Sequence, residues 1–240
     1  MQMALEHPNE THIVDPRDRF IHEVARGRSF VDVGGLWGTV GERVSVAHAA
    51  GARELALIDV TRPEGELWAR FDERRRALGV PAVRTVSGDL MQLVPADPTL
   101  RFEVVHCSGI LYHVPDPFRL LTALRTLTTG HLILSSSITE TDIVNEAGEL
   151  HLPEGSSLFL PALSRQERAV LAAHWRPAVA DNALGLTRDV ATWRLNDFGP
   201  WWWLPTTSAL TRMCEIAGFD VLEVDHFWGG HAATLKLATR

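Results

Sequence analysis

Several glycines and acidic residues of this chain follow apolar runs, and their types and spacing are suited to binding a ligand. Residues 30–38 read FVDVGGLWG, so an apolar run that contains Asp32 leads directly into Gly34, Gly35 and Gly38. Such a turn lets a ligand approach bare backbone, and its N–H groups and the following helix start can hold polar or anionic groups. The stretch predicts a nucleotide-type ligand site; the alternative is an ordinary tight turn of an α/β protein.

Two further acids stand at the ends of predicted strands. Residues 54–60, ELALIDV, predict a second strand that ends at Asp59. An acid in this place can accept hydrogen bonds from ribose hydroxyls, and the alternative is a helix cap or a solvated loop acid. Asp89 follows a third predicted strand at residues 80–86 as part of a glycine–acid pair, which is also common in turns.

The glycine pattern is not a dinucleotide fingerprint, because Leu36 stands two positions after Gly34. It resembles the acid-x-G-x-G-x-G motif of class I S-adenosylmethionine-dependent methyltransferases, which Asp32, Gly34 and Gly38 match and from which Leu36 departs at the middle glycine. In that family an acid in the place of Asp89 contacts the adenine amino group. The resemblance assigns cofactor binding to Asp32, Gly34, Gly35, Gly38, Asp59 and Asp89.

The resemblance continues after a fourth predicted strand at residues 102–106. Residues 107–117 read CSGILYHVPDP, which is similar to the S-G-x-L-Y-H-x-x-D-P segment by which many of these methyltransferases leave that strand. The segment implies cofactor contacts at Cys107 and Ser108. Asp116 predicts the cap of a following helix that has proline at its first position.

Histidines are the candidates for proton transfer near neutral pH. Methyl transfer from a sulfonium is an in-line displacement in which the protein aligns the acceptor and removes its proton. His113, just past the fourth strand, is the predicted base, with a structural histidine as the alternative, and His151 is the second candidate. A set of His113, His151 and Asp116 could instead hold a divalent cation such as Mg²⁺, although no ligand spacing demands a metal.

Alternating strands and helices define the predicted architecture. The apolar pattern predicts a helix at residues 15–26, five strand–helix units up to a strand at 131–135, a helix at 207–217, and strands at 219–225 and 232–238. The connection between the last two strands is too short for a parallel crossover, so this pair is antiparallel. Pattern and resemblance together predict an α/β, Rossmann-like, seven-stranded, mostly parallel sheet with an antiparallel last strand and helices on both faces.

Residues 1–240 are predicted to form a single methyltransferase domain. Residues 1–28 are expected to be an N-terminal helical cap that covers either the sheet edge or the cofactor. Residues 138–204 interrupt the alternation after the fifth strand with Pro, Trp and short apolar pieces, and such an insertion at the carboxyl edge of an open sheet is typical of a lid or substrate wall. Most of its tryptophans are expected to pack the insertion, and one or two to line a substrate pocket.

Composition narrows the class of protein further. A formal net charge of −7 and a pI near 5.9 argue against a nucleic-acid surface. The polar first residues are unlike a signal peptide, and no apolar run approaches the ~20 residues of a membrane span, so a cytoplasmic protein is expected. Cys107 and Cys214 provide neither a disulfide framework nor a zinc spacing. The composition leaves self-association into a homo-oligomer open.

These features predict an S-adenosylmethionine-dependent O-methyltransferase that acts on a hydroxyl of a small metabolite. A sugar or glycoside is favoured, because tryptophan faces suit stacking on sugar rings and the acidic charge disfavours RNA. The S-G-I-L-Y-H segment, and a W-L-P-T segment before the last helix, also resemble enzymes that modify the wobble uridine of transfer RNA. That activity is one alternative, and a non-catalytic protein that keeps the fold and binds the cofactor is another.

Overall fold

A seven-stranded sheet forms the centre of the protein. The computed structural model describes residues 15–36, 40–179 and 184–240. Its strands are β1 (Ser29–Val33), β2 (Glu54–Asp59), β3 (Arg84–Ser87), β4 (Phe102–Ser108), β5 (Thr128–Ser137), β6 (Asp142–Asn145), β7 (Gly148–His151), β8 (Ser157–Phe159), β9 (Trp203–Pro205), β10 (Phe219–Phe227) and β11 (Ala232–Thr239). The large sheet has the order β10-β11-β5-β4-β1-β2-β3.

Strand direction in this sheet confirms the predicted topology. β1 pairs in parallel with β2 and β4, and the β2–β3 and β4–β5 pairs are also parallel. β11 is antiparallel to both β5 and β10, as the short connection between the last two strands requires. The strand order reverses between β1 and β4, and open α/β sheets bind ligands at the carboxyl ends of the strands beside such a reversal.

Helices cover both faces of the sheet, as predicted. They are α1 (Pro16–Val24), α2 (Val44–Ala49), α3 (Glu66–Ala77), α4 (Leu90–Ala96), α5 (Pro117–Leu127), α6 (Arg165–Trp175) and α7 (Thr207–Ile216). One apolar cluster joins one face of the sheet to α4, α5 and α7, and a second joins the other face to α1, α2 and α3. No helix within the described ranges is long and apolar enough to span a membrane.

Cap residues define the starts of the helices that the sequence indicated most clearly. Asp15 caps α1 and accepts from the backbone N–H of Arg17 at 3.0 Å, with Pro16 at the first helical position. Asp116 caps α5 in the same way through the backbone N–H of Arg119, also at 3.0 Å. Residues 1–14 of the predicted N-terminal cap lie outside the described ranges.

The chain between β5 and α7 forms a small layer with its own core. The hairpin β6–β7, helix α6 and the antiparallel pair β8–β9 surround a third apolar cluster that contains Trp175, Trp201 and Leu204. Ser164 and Glu167 form a capping box at the start of α6. The segment that carried the predicted insertion is therefore built around buried side chains rather than being a long irregular loop.

Candidate functional site

Two clefts that adjoin each other open at the carboxyl ends of β1, β2 and β4. The first, here the Asp59 cleft, has a volume of about 700 Å³. The second, here the Arg17 cleft, lies beside it. Gly34, Gly109 and His113 line both clefts, so the two spaces meet at these residues. An elongated ligand can therefore extend from one cleft into the other.

A side chain at Gly34 would be strained by the backbone conformation, and one at Gly34 or Gly35 would displace a neighbouring side chain. Gly34 has a φ of +81°, and a Cβ atom there would lie 2.3 Å from Cδ1 of Ile110. A Cβ at Gly35 would lie 2.6 Å from Oδ2 of Asp32. These two glycines thus bring bare backbone to the cleft wall, whereas Gly38 lies outside the described residues.

Leu36, the departure from the family motif, has a structural role. Its side chain is fully buried in the second apolar cluster, against α1 and α2. Its backbone N–H donates to Oδ2 of Asp59 at 2.9 Å. The loop therefore tolerates a large residue at the middle glycine position, because that side chain points into the core and not into the cleft.

Asp59 stands at the end of β2, is 4% exposed, and lines the first cleft. Besides the bond from Leu36, its Oδ1 accepts from the backbone N–H of Thr61 at 2.8 Å and from its hydroxyl at 2.6 Å. A carboxylate offers about four acceptor positions, so one remains for a ligand hydroxyl. Asp59 can thus bind a ribose while it fixes the glycine loop.

Asp89 lines the same cleft and also caps a helix. It is the N-cap of α4 and accepts from the backbone N–H of Met91 at 2.9 Å. Val60, Leu90 and Ile110 provide apolar walls around it. Asp89 therefore has a structural role as a helix cap, and its carboxylate also lies beside apolar side chains of the cleft.

Asp32 lies beneath the glycine loop and is paired with a buried histidine. Its Oδ2 accepts from the backbone N–H of Arg43 at 2.7 Å, and its Oδ1 lies 2.7 Å from Nδ1 of His106. Asp32 and His106 are direct partners in the β1–β4 ladder. Sequence reasoning missed His106; the available signal was a polar ring inside the apolar run FEVVH.

Cys107 and Ser108, both predicted to contact the cofactor, point to opposite sides of β4. Cys107 is fully buried in the first apolar cluster, and this burial raises the pKa of its thiol far above the usual value. Its side chain lines neither cleft, which corrects the prediction for this residue. Ser108 faces the Arg17 cleft, where its hydroxyl oxygen accepts from the guanidinium of Arg17 at 3.2 Å.

His113 ends a short 3₁₀ turn, Leu111–His113, where the two clefts meet. Burial lowers the pKa of its imidazole, although carbonyls of Phe198, Gly199 and Pro200 act in the opposite direction. Its Nδ1 lies 3.2 Å from the carbonyl oxygen of Pro200, which orients the ring. An oriented, neutral imidazole at this point can remove a proton from a bound hydroxyl.

His151 is placed away from both clefts. It lies on the β6–β7 hairpin, its side chain is 58% exposed, and it contacts Asp142 at 2.8 Å and Glu149 at 3.2 Å. These acids raise the pKa of His151. The structure therefore does not bring His151 to His113, which corrects the expectation that the two could share a site.

The described residues do not provide a set of ligands for the alternative, a metal ion held by these histidines. Within residues 15–36, 40–179 and 184–240, no three His, Cys, Asp or Glu side chains converge as metal ligands. Asp116, the third proposed ligand, caps α5 instead.

Solved structures of methyltransferases share this fold. The 1,6-didemethyltoxoflavin-N1-methyltransferase of Burkholderia thailandensis is 15% identical, with a TM-score of 0.56 over 93% of this chain and 76% of that one. The magnesium protoporphyrin IX methyltransferase of Synechocystis PCC 6803 is 15% identical, with a TM-score of 0.54 over 94% and 82%. An S-adenosylmethionine-dependent methyltransferase of Mesorhizobium loti is 16% identical, with a TM-score of 0.57 over 93% and 96%.

Sequence similarity is visible at the level of the family. No curated protein sequence matches the chain significantly. Residues 6–224 match the family model described as a methyltransferase domain. The glycine loop, the acids beside it and the sheet order agree with that match. The chain therefore belongs to the methyltransferase-domain family and is an S-adenosylmethionine-dependent methyltransferase.

Proposed function

We propose that the protein methylates a hydroxyl group of a small metabolite, with a sugar or glycoside as the favoured acceptor. The observation that carries this proposal is the position of His113 at the junction of the two clefts, with a lowered pKa. A hydroxyl acceptor needs a base when its oxygen attacks, and a neutral imidazole is suited to that role.

The proposed cofactor site uses the Asp59 cleft and the glycine loop. The backbone at Gly34 and Gly35 would pass close to the cofactor, Asp59 would accept from a ribose hydroxyl, and Asp89 would contact the adenine. Ser108, at the end of β4, would lie beside the same cofactor site. When bound, S-adenosylmethionine supplies a methyl group that is already activated on a sulfonium. The protein then has to align the acceptor oxygen and remove its proton.

The proposed acceptor site is a third cleft of about 750 Å³ at the end of β5, here the serine cleft. It shares Arg17, Ser108 and Tyr112 with the Arg17 cleft, so an acceptor hydroxyl would extend through that cleft to His113, which lines the Arg17 cleft and not the serine cleft. Its wall combines hydroxyl-bearing side chains, aromatic side chains and one guanidinium. The residues that provide them are Arg17, Ser108, Tyr112, Ser135, Ser136, Ser137, Phe227 and Trp228. The hydroxyls can exchange hydrogen bonds with a polyhydroxylated ring, and the exposed face of Trp228 offers a stacking surface. This combination supports a saccharide.

The aromatic residues of this cleft differ from those expected. Trp175, Trp201 and Trp202 of the insertion are at most 4% exposed; the first two pack its core, and the ring of Trp202 packs against that of Trp193. The stacking surface comes instead from Phe227 and Trp228, at the turn between β10 and β11. These three tryptophans therefore pack inside the insertion. The proposal of a sugar acceptor depends instead on Phe227 and Trp228 of the β10–β11 hairpin.

The proposed lid is narrower than the whole insertion. Phe198 lines the Asp59 cleft, and the carbonyl of Pro200 holds His113. The backbone N–H of Trp202 donates to the carbonyl oxygen of Tyr112 at 2.7 Å. These contacts favour residues 198–202 as the part that closes over the cofactor, with the remainder of the insertion as its support.

Identification of the methylated product tests the proposed function. The full-length protein is incubated with labelled S-adenosylmethionine and, in separate reactions, with a metabolite pool and a transfer-RNA pool, and products are identified by mass spectrometry. We expect a methyl ether on a small hydroxylated compound and no label in RNA. Label in RNA would support the wobble-uridine alternative, and no turnover with measurable cofactor binding would support a non-catalytic binder.

A further inference from the structure

An apolar groove lies on the face of the molecule that α5 and α7 cover, apart from the three clefts of the candidate site. Its volume is about 900 Å³, and its walls come from the start of α5, from α7 and from the β8–β9 pair. None of its described lining residues also lines the Asp59, Arg17 or serine cleft. The groove therefore has a role other than holding the cofactor or the acceptor.

Large apolar side chains around this groove are exposed. Ile216, the last residue of α7, is 74% exposed, and Phe118, near the start of α5, is 43% exposed. The ring of Phe159 packs against that of Trp203 in the groove wall, with the two centroids 4.7 Å apart, and Phe159 is itself 38% exposed. A cluster of exposed apolar side chains around a recess is typical of an interaction surface.

The composition of the groove is that of a contact between proteins. The cores of such contacts are enriched in aromatic residues, Met and Arg and are depleted of Lys and Glu. The groove is lined by Phe118, Trp203, Arg212 and Met213, and its described lining contains neither Lys nor Glu. A lipid or nucleic-acid surface would instead require an excess of basic side chains. The groove has one arginine and one aspartate, so its charge is balanced.

This surface also has the features that a two-fold contact between identical chains requires. Such a contact uses the same patch on both copies, so the patch must combine exposed apolar side chains with a recess that receives them. Ile216 and Phe118 provide the first, and the space between α5 and α7 provides the second. The chain carries a formal charge of −7, which makes two copies repel each other in general, but this patch has no excess of acids.

Charges on the rim of the groove are complementary to each other. Asp116 and Arg212 both line it, and they carry opposite charges. The Arg212 side chain pairs with Glu215 of the same helix and is still 73% exposed, so its guanidinium can also reach a second chain. A two-fold axis through the groove can therefore place the arginine of each copy opposite the aspartate of the other.

We propose that this groove is the interface of a two-fold symmetric homodimer, in which Ile216 of each copy enters the groove of the other and Arg212 faces Asp116 across the axis. The contact lies outside the clefts, so it does not depend on which acceptor is methylated. It would also support the candidate site from behind. Nε1 of Trp203 donates to the carbonyl oxygen of Pro115 at 3.0 Å, directly after the 3₁₀ turn at the junction of the clefts.

Analytical ultracentrifugation of the full chain over a series of protein concentrations tests this interface. We expect the wild-type protein to dimerise and Ile216→Glu to raise the dissociation constant of the dimer by at least about 30-fold, because a charge replaces a central apolar contact. Leu78→Glu is the matched control, since Leu78 is 52% exposed at the end of α3, on the opposite face of the sheet. It should change the dissociation constant by no more than about twofold.

The charge pair provides a second test that leaves the apolar side chains in place. Arg212→Glu sets acids of the two copies against each other, so the dissociation constant should rise by at least about 10-fold. Addition of Asp116→Asn should recover at least about threefold of this loss, because the neutral amide no longer repels the new acid and can still cap α5. If Ile216→Glu does not fold by circular dichroism, this second test decides.

Four results would overturn the inference. The first is a wild-type protein that is monomeric at every concentration, and the second is a dimer that Ile216→Glu or Arg212→Glu leaves unchanged. The third is an equal loss in Leu78→Glu, or a loss in Arg212→Glu that Asp116→Asn does not relieve. The fourth is a monomer that co-sediments with phosphatidylcholine vesicles and loses this binding in Ile216→Glu, which would assign the groove to a lipid surface.

Discussion

The backbone N–H of Leu36 donates to the carboxylate of Asp59 at 2.9 Å, so the acid at the end of β2 holds the glycine loop that follows β1. Neighbouring parallel strands bring these two residues together, because Val33 and Ile58 are ladder partners. The same carboxylate lines the cleft. Stability of the loop and binding of the cofactor are therefore expected to depend on one side chain.

Removal of the Asp59 carboxylate should affect folding and binding together. In Asp59→Ala the buried N–H of Leu36 loses its acceptor, so the free energy of unfolding should fall by about 1–3 kcal/mol. Calorimetry should show affinity for S-adenosylhomocysteine weakened by a similar ~1–3 kcal/mol. Thr61→Val is the control, because it removes one hydroxyl bond to Asp59 and leaves the Leu36 bond intact. Unchanged affinity in Asp59→Ala would reject the ribose contact.

Gly34 should not tolerate even a methyl group. Gly34→Ala places a Cβ 2.3 Å from Cδ1 of Ile110 at a φ of +81°, so we expect a loss of unfolding free energy of about 1–3 kcal/mol in thermal or denaturant unfolding. Gly41 borders the same loop, but its φ is not positive and its Cβ would meet nothing within 4 Å. Gly41→Ala should therefore stay within about 0.5 kcal/mol of wild type. Equal stability of the two variants would contradict the close approach.

The sequence predicted those parts of the fold and site that depend on local chemistry and connection length. The cap at Asp116, the tight turn at Gly34 and the antiparallel final pair follow from the residues themselves. The strand-end positions of Asp59 and His113 follow from the order of strands and turns.

Side-chain direction depends on neighbouring elements and was less predictable. Alternation along β4 sends Cys107 into the core and His106 toward Asp32, and only the register with β1 determines which residue faces which side. Helical spacing predicts that Phe118 faces inward, yet it is 43% exposed near the start of α5. Nothing in the sequence around His151 indicates that the β6–β7 hairpin exposes its side chain to solvent.

Closure of residues 198–202 over the cofactor should be visible by hydrogen exchange. The N–H of Trp202, bonded to Tyr112, and those of its neighbours should gain protection when S-adenosylhomocysteine is added, because the bound cofactor favours the closed state. The β6–β7 hairpin is the internal control and should exchange equally with and without ligand. Exchange across 198–202 that is already as slow as in β4 without ligand would count against a lid.

His151 should titrate above the usual histidine value. Asp142 and Glu149 stabilise its imidazolium, so a proton NMR titration should give a midpoint above 6.5. Asp142→Asn should move the midpoint down, and any stability from these pairs is present below pH 6.5 and lost as the pH rises through the folded-state pKa. A midpoint at or below 6.5 in the wild-type protein would contradict the pairing.

The proposed role of His113 makes the most direct kinetic prediction. A positioned base contributes typically 10²–10⁴-fold, so His113→Asn should lower kcat by about that factor. Affinity for S-adenosylhomocysteine should remain nearly intact, because the loss falls on the transition state. Asn is chosen because its amide can still donate to the carbonyl of Pro200. His151→Ala is the control and should retain kcat, since that ring is exposed and lies outside the clefts.

The pH profile of kcat/KM tests the same role independently, because it reports groups of the free enzyme. Burial lowers the pKa of His113, so the base form is kept to lower pH and the acidic limb of kcat/KM should have its midpoint below 6.5. That limb should disappear in His113→Asn. A variant that keeps most of kcat would place the base elsewhere. Loss of activity with a chelator and recovery with magnesium would instead assign activation of the hydroxyl to a metal, because a bound cation lowers the pKa of a hydroxyl without a protein base.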